Sequence, residues 1–483
     1  ALLLLIGAVY LLYRHFIDWR IPAAYVGSVA VLGWAFGGPA GFFTADQLVK
    51  SQEVEASIDL FERWPTPFGL VREGVAPDHQ SIKAVTRIFE RVLAHPRVRL
   101  FGNVQFGEDV TREELQALYD QVVYAVGAQT DRRMGIPGED LVGSWPATDF
   151  VRWYNGQPEC VDLEFDLGVE RAVVIGNGNV AVDVARILLS SPDVLAKTDI
   201  AEHALDALRE SAIREVVMVG RRGPVEAKFT NVELKELGAL EGVDVVVDPA
   251  DLPRDLEEVA SRQDRRVARN LEILADFAGR EPTGAPRRLV FRFLASPVAL
   301  LEERGGVRAV RFESNRLAPG ADGALKAQGT GEFDELEAGL VLRSVGYHGV
   351  ALPDLPFDSA RGVIPNHGGR VLDRSGGKVV PGEYTAGWIK RGPSGVIGTN
   401  KACAAETVAA MLDDAASLSE NDAPAADPDS VVDLLEGRGT RYVTEKDWSR
   451  RDAEEVARGE SLGRPRLKLV RVEEMLSIIG KGE

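Results

Sequence analysis

The chain has 483 residues, 45% hydrophobic and 27% charged, with a formal net charge of -18 at pH 7. That length suits two or three cored domains, and that acidity argues against a DNA or RNA binder, which would need a basic surface. Its two cysteines, Cys160 and Cys403, are too few for a disulfide framework, a redox dithiol or a protein-held iron–sulfur cluster; electron chemistry would have to sit on a bound organic cofactor.

The opening stretch, ALLLLIGAVYLL, is almost purely apolar; Arg14, His15, Asp18 and Arg20 follow, and residues 23–43 carry no charge. About 20 uncharged residues can span a bilayer as a helix. Two readings therefore stand: a hydrophobic leader over 1–22 with membrane contact through 1–43, or a buried strand over 27–36 running into a glycine loop. The missing first methionine points to a fragment or a processed form. Two cysteines fit a reducing, cytoplasmic setting.

From residue 38 the pattern alternates between helix and strand. GGPAG (37–41) leads into a helix in FFTADQLVKSQ, and SIDLFER (57–63) reads as a strand. Residues 64–79 are rich in Pro and Gly and read as a loop. Residues 81–95 have helical apolar spacing. VRLFGNVQFG (98–107) is a strand and turn, Thr111 N-caps the helix TREELQALYDQ, and 122–128 is an apolar strand ending in glycine. RAVVIGNGNVAVDVARILL (171–189) then gives strand, Gly-rich turn and helix, and EVVMVGRRG (215–223) the next strand. The charged stretch 251–279 reads as one helix. RRLVFRFLASPVALLEE and GVRAVRFESNRL read as a meander, 336–347 as an apolar strand, and 384–412 as strand, Gly/Pro loop and helix. Residues 414–429 read as a linker, and the last ~50 residues show no clear period.

The fold class is α/β, with two Rossmann-like dinucleotide-binding domains, one inserted in the other. The outer domain comprises 23–130 and 340–410, the inserted one 131–339, and a linker and tail follow over 411–483.

Gly176-Asn177-Gly178-Asn179-Val180-Ala181 sits between a strand and a helix, the context a G-x-G-x-x-G/A fingerprint requires. Glycines let the backbone turn tightly against a pyrophosphate held at the helix N-terminus. The next strand ends in Arg221 and Arg222, where an acid would bind the ribose 2′-hydroxyl of NAD; two arginines suit the 2′-phosphate of NADP. A second fingerprint aligns as Phe36-Gly37-Gly38-Pro39-Ala40-Gly41, with Phe36 where the first glycine belongs. Downstream, Glu62 ends a strand about 20 residues later, placed for a ribose hydroxyl.

SIDLFER, PTPFGLVREGVAPDH, RRMGIPGEDL, ATDFVRWYNG, IGNGNVAVDVARIL, VGRRGPVEAKFT and GWIKRGPSGVIGTNKACAAETV together resemble the adrenodoxin reductase-type ferredoxin–NADP reductases, from about residue 36 to the C-terminus. The resemblance implies FAD in the outer domain, on Gly38, Ala40, Gly41, Glu62, Leu70, Val104, Trp388, Gly395, Val396 and Ile397. It implies NADP(H) in the inserted one, on Asn177, Gly178, Asn179, Val180, Arg221, Arg222 and Glu233, with Gly395 also in reach. His79, Asp183 and Trp388 are its catalytic positions. A histidine beside a carboxylate can relay a proton, or Asp183 only orients its own helix. No metal site is expected.

The implied partner is a ferredoxin-like iron–sulfur protein. Arg262, Arg265, Arg266 and Arg269 offer either a basic docking face for it or a solvated helix face. Lys390 and Arg391 are candidates for the cofactor side. IGAVYLLYRHFIDWRIPAAYVGSVAV resembles a hydrophobic segment of membrane subunits of ion-pumping redox complexes. Two other functions compete: a glutamate synthase-like NADPH-oxidising subunit, which usually carries cysteine-rich cluster motifs, and a flavin-less membrane-associated scaffold.

Overall fold

The computed structural model describes residues 25–33, 38–320, 323–419 and 427–478. These form two compact units. The first comprises the described residues up to Phe68, Arg87–Gly127 and Ala351–Glu445; the second comprises Gly69–Thr86, Ala128–Val350 and the described residues from Lys446. The sequence-based division at 130/131 and 339/340, with a separate tail after 410, differs from these bounds. Tyr347–His348 pairs antiparallel with Thr130–Asp131, which ties both edges of the insertion into the second unit. The last segment joins that unit through buried ion pairs rather than trailing as a tail, and the helix expected to end near 412 runs on to Ser419.

In the first unit a seven-stranded sheet runs in the order Asn366–His367, Arg370–Leu372, Val379–Thr385, Gln121–Ala125, Tyr25–Gly33, Val54–Glu62, Val98–Gly102. Its last five strands are parallel. Tyr25–Gly33 is pinned between two neighbours in register, so this part of the uncharged N-terminal stretch is sheet and not a bilayer helix. Among the described residues no helix is long and apolar enough to cross a membrane. Residues 1–24, and 34–37 with Phe36, lie outside the described residues.

The helix Gly38–Lys50 follows that strand, and its Phe42 ring stacks on Phe89 at 4.7 Å between centroids. The single helix expected over 81–95 is two, Gln80–Lys83 and Thr86–Leu93, separated at Ala84 and Val85. The loop expected over 64–79 contains a short helix, Leu70–Glu73. Thr111 caps Arg112–Leu118 as expected. Its hydroxyl accepts from Glu114 N at 3.3 Å while Glu114 Oε2 accepts from Thr111 N at 2.9 Å, a capping box worth about 1 kcal/mol.

The second unit holds a six-stranded parallel sheet in the order Ser144–Pro146, Leu340–Arg343, Arg171–Ile175, Glu215–Val219, Arg287–Arg292, Val243–Val247. RAVVI and EVVMV are β-branched runs covered on both faces, as central parallel strands require. Two expectations fail here. Arg287–Arg292 belongs to this parallel sheet, and the antiparallel meander is instead Ala295–Glu303, Gly306–Pro319 and Leu325–Glu337. The helix expected over 251–279 is broken, because Asp264 Oδ1 accepts from Val267 N at 2.9 Å and starts a new helix, Arg265–Ala278, after Leu256–Ser261.

Candidate functional site

In the second unit the strand Arg171–Ile175 delivers the chain to Gly176, whose φ is 143° and where a side chain would strike the Ser344 carbonyl; only glycine fits. Gly178 N-caps the helix Asn179–Leu189 without a side-chain cap, and a Cβ placed there would meet nothing within 4 Å. The helix therefore aims uncapped N–H groups and its positive end into open space, the arrangement that holds a phosphate. Asn177 Oδ1 is buried there without a hydrogen-bond partner. Lys228 N donates to Asn177 O at 2.7 Å and Thr230 N to Asn179 Oδ1 at 2.9 Å, stitching the next loop onto the turn. Val180 follows, half-buried, in the first turn.

Glu215–Val219 ends at Gly220, and Arg221 (exposed) and Arg222 (half-buried) come next. Among the described residues neither guanidinium has a carboxylate partner. Two uncompensated positive charges beside a helix N-terminus suit a phosphorylated nucleotide.

The first unit carries the other set. Gly38, Ala40 and Gly41 are buried in the opening turn of Gly38–Lys50. Glu62 closes its strand at 4% exposure and shares a small cavity with Gly38, Gly41 and Pro67. An acid at the strand end and a glycine-lined helix start fit the ribose and pyrophosphate of a dinucleotide. Glu62 O accepts from Val104 N at 3.0 Å, which places buried Val104 beside it. Trp388, half-buried, opens a four-residue helix and donates from Nε1 to Ser394 O at 3.1 Å.

Gly395, Val396 and Ile397 form the loop into the helix Thr399–Ser419, with Val396 55% exposed. Arg391 braces that loop through Thr399 Oγ1 at 3.1 Å and Asn400 Oδ1 at 3.0 Å. Lys390 is buried and held by Glu406 at 2.8 Å and Thr407 at 3.0 Å, so its charge is engaged within this unit.

His79, Asp183 and Glu233 do come together, in the second unit, which also holds Leu70 at the start of Leu70–Glu73. His79 Nε2 lies 2.8 Å from Glu236 Oε2 and 3.6 Å from Glu233 Oε2; its Nδ1 lies 3.8 Å from Asp183 Oδ1. Sequence reasoning missed Asp78, Arg186 and Glu236. Arg186 donates to Asp78 at 2.6 and 3.0 Å, to Asp183 at 2.7 Å and to Glu233 at 3.2 Å. The signal was the i,i+3 spacing of Asp183 with Arg186 and of Glu233 with Glu236, which puts each pair on one helix face. The spacing of His79, Asp183 and Glu233 would suit a small cation, but Arg186 already fills that electrostatic role.

Burial pushes Asp183 up despite Arg186 beside it. Burial, then the Asp183 charge, push Glu233 up to about 7. Burial would also raise Asp78, but its Arg186 hydrogen bonds win and hold it below the usual carboxylate range. The set thus holds a carboxylate that can keep or release a proton near neutrality.

Because the Glu233 value is raised on folding, its contribution to stability is present below its ordinary 4.5 and is lost as pH rises through about 7. Glu233→Gln should flatten that loss. Urea unfolding at pH 5.5 and pH 8 should show wild type losing up to roughly 2 kcal/mol more than the variant across that window, at ~1.4 kcal/mol per decade. Equal losses would mean Glu233 ionises normally.

Cys160 and Cys403 are both free and buried. Of the four helix arginines, Arg262 pairs with Glu258 and Arg269 with Glu272. Arg266 donates to the carbonyls of Ala227 and Phe229 at 3.2 and 3.3 Å. Three of the four charges are thus engaged locally, which favours the solvated-face reading.

Residues 27–247 match the family model described as pyridine nucleotide-disulphide oxidoreductase. The chain is 49% identical over 458 residues to NADPH-ferredoxin reductase FprA of Mycobacterium tuberculosis, covering 93% of this chain and 98% of that protein. It is 43% identical over 454 residues to the mitochondrial NADPH:adrenodoxin oxidoreductase of Salvelinus fontinalis, covering 92% and 89%. The solved structure of M. tuberculosis FprA in complex with NADPH superposes with a TM-score of 0.88 at 48% identity, covering 94% of this chain and 99% of that one. With two parallel-sheet nucleotide folds, a glycine turn opening on an uncapped helix, and this likeness over nearly the whole length, the chain belongs to the adrenodoxin reductase-type ferredoxin–NADP reductase family.

Proposed function

We propose that this chain is a flavoprotein reductase that carries electrons between NADPH and a ferredoxin-like iron–sulfur protein. The observation that carries the reading is the pair Arg221 and Arg222, without a carboxylate partner among the described residues and set just after the strand that follows the uncapped fingerprint helix. FAD, when bound, accepts two electrons as hydride and releases them one at a time.

We assign FAD to the first unit, with Gly38, Ala40 and Gly41 at its pyrophosphate, Glu62 at a ribose, and Val104, Trp388 and Gly395–Ile397 around its remaining parts. NADP(H) is assigned to the second unit. There Asn177, Gly178, Asn179 and Val180 take the pyrophosphate, and Arg221 and Arg222 the 2′-phosphate. His79 and Asp183, with Glu233 and Glu236, hold and move a proton, and Arg186 keeps the carboxylates together.

The glutamate synthase-like alternative finds no support in two isolated buried cysteines. The purified protein should show visible flavin bands that bleach on titration with NADPH. It should also reduce cytochrome c much faster with added ferredoxin. A colourless protein that cannot be reconstituted with FAD would overturn the assignment.

A further inference from the structure

The loop that carries Arg221 and Arg222 has few tethers of its own, and most come from a segment more than 70 residues away. Gly220 N donates to Arg292 O at 2.9 Å, Ala295 N to Gly220 O at 3.1 Å, and Leu294 N to Arg222 O at 3.2 Å. Leu294 is held at φ 52°, a left-handed conformation that costs a leucine strain and persists only where its surroundings impose it. The imposing group is Asn315. Its backbone N donates to Leu294 O at 2.7 Å. Its side-chain Nδ2 donates to Arg221 O at 2.9 Å and to Ser296 Oγ at 2.8 Å.

Asn315 lies on the long strand Gly306–Pro319, where the pairing with Leu325–Glu337 slips between Glu313 and Asn315. Such a bulge re-aims the side chain beside it. Here the amide, at 9% exposure, is buried against the arginine turn rather than spent along the sheet. A buried amide shared between the Arg221 carbonyl and a serine hydroxyl is satisfied by those two acceptors together. Removing it orphans the Arg221 carbonyl and frees the turn.

We propose that Asn315 is a positioning residue for nucleotide selectivity: from the bulged strand of the antiparallel sheet it fixes the Arg221–Arg222 turn, so that this sheet sets affinity for a nucleotide 2′-phosphate. This rests on reading Arg221 and Arg222 as the 2′-phosphate site. The sheet of residues 295–337 then has a function beyond filling space, because its strand Gly306–Pro319 supplies the strut. A residue that only supported the fold would change affinity for all adenine nucleotides alike. A strut on this turn changes affinity only where the 2′-phosphate is present.

The test is calorimetric titration of the flavin-containing protein with 2′,5′-ADP and with 5′-AMP, using Asn315→Leu, which keeps the volume and removes the donor. Asn315→Ser, polar but too short to reach the Arg221 carbonyl, serves the same test if the leucine variant does not fold. The expected result is about tenfold weaker binding of 2′,5′-ADP, less than about twofold change for 5′-AMP, and an unchanged kcat at saturating NADPH with a raised KM. Unchanged 2′,5′-ADP affinity in the folded variant, while the control Arg221→Asp/Arg222→Asp has lost it, overturns the role of Asn315 alone. Unchanged affinity in the control overturns the phosphate site and the inference with it. Equal weakening of both ligands reduces Asn315 to a structural residue and also overturns the proposal.

Discussion

Replacing Arg221 and Arg222 together by Asp should raise the KM for NADPH by about 100-fold or more and that for NADH by less than about threefold. Each guanidinium offers a planar set of donors matched to phosphate oxygens, and each such charge-assisted bond is worth roughly 1.5–3 kcal/mol. Losing two removes ~3–6 kcal/mol, or about 10² to 10⁴ in affinity. The reversal of charge adds repulsion that is strongest for the nearby 2′-phosphate and weak for the more distant pyrophosphate that both nucleotides share. Neither side chain has an acidic partner among the described residues, so the substitutions break no internal ion pair and the fold should stand. Steady-state kinetics with the two nucleotides under one ionic strength is the measurement. An equal rise for both would show that the pair binds the common part of the cofactor or only shapes the loop.

That prediction was available from sequence because its parts are local. A β-branched run, a G-x-G turn, a helix and a following strand are contiguous, so each element was legible at Arg171–Ile175, Asn179–Leu189 and Glu215–Val219. The ionic cluster was only half legible. His79 and Asp183 stand out as catalytic positions and Glu233 only as an NADP(H) contact, while Arg186, the cation that joins three carboxylates, sits on a helix whose pattern is otherwise apolar.

Arg287–Arg292 departs from its expected place in the meander for a different reason. Its residues alternate between buried and partly exposed, as in an antiparallel ribbon. It is nonetheless a parallel strand near a sheet edge, and its outward arginines are compensated, Arg288 by Glu215 and Arg292 by Asp334. Phe36, the one departure in the first fingerprint, lies outside the described residues.

The helix Glu445–Glu460, which precedes the last described helix Val472–Ser477, is the least legible in the sequence and leads to the largest stability effect expected here. Its inward face has a single large apolar side chain: Trp448, Arg451, Glu455 and Gly459 are the residues it buries, so hydrophobic spacing is faint there. Glu455, fully buried, accepts from both Arg72 terminal nitrogens at 2.9 and 2.7 Å and from Leu469 N at 3.1 Å, with Arg466 at 3.3 Å. Burial alone would raise its carboxyl, but Arg72 and Arg451 hold it down at about 2. The sign follows: this carboxylate contributes stability above its ordinary 4.5 and loses it as pH falls toward about 2.

Glu455→Gln keeps the shape but leaves Arg72, Arg451 and Arg466 with one shared counter-charge fewer in a dry setting. Breaking a buried pair in this way costs about 3–5 kcal/mol. Urea unfolding at pH 7 should show that loss, and limited proteolysis should cut residues 446–478 earlier in the variant than in wild type. Arg72→Met together with Glu455→Met should recover only part of the loss, since an apolar pair of similar volume avoids the desolvation of those two ions but still leaves Arg451 and Arg466 without the Glu455 charge. If Glu455→Gln unfolds at the same urea concentration as wild type, the charges carry no net stability and the segment is held by Trp448, Leu469 and their apolar neighbours instead.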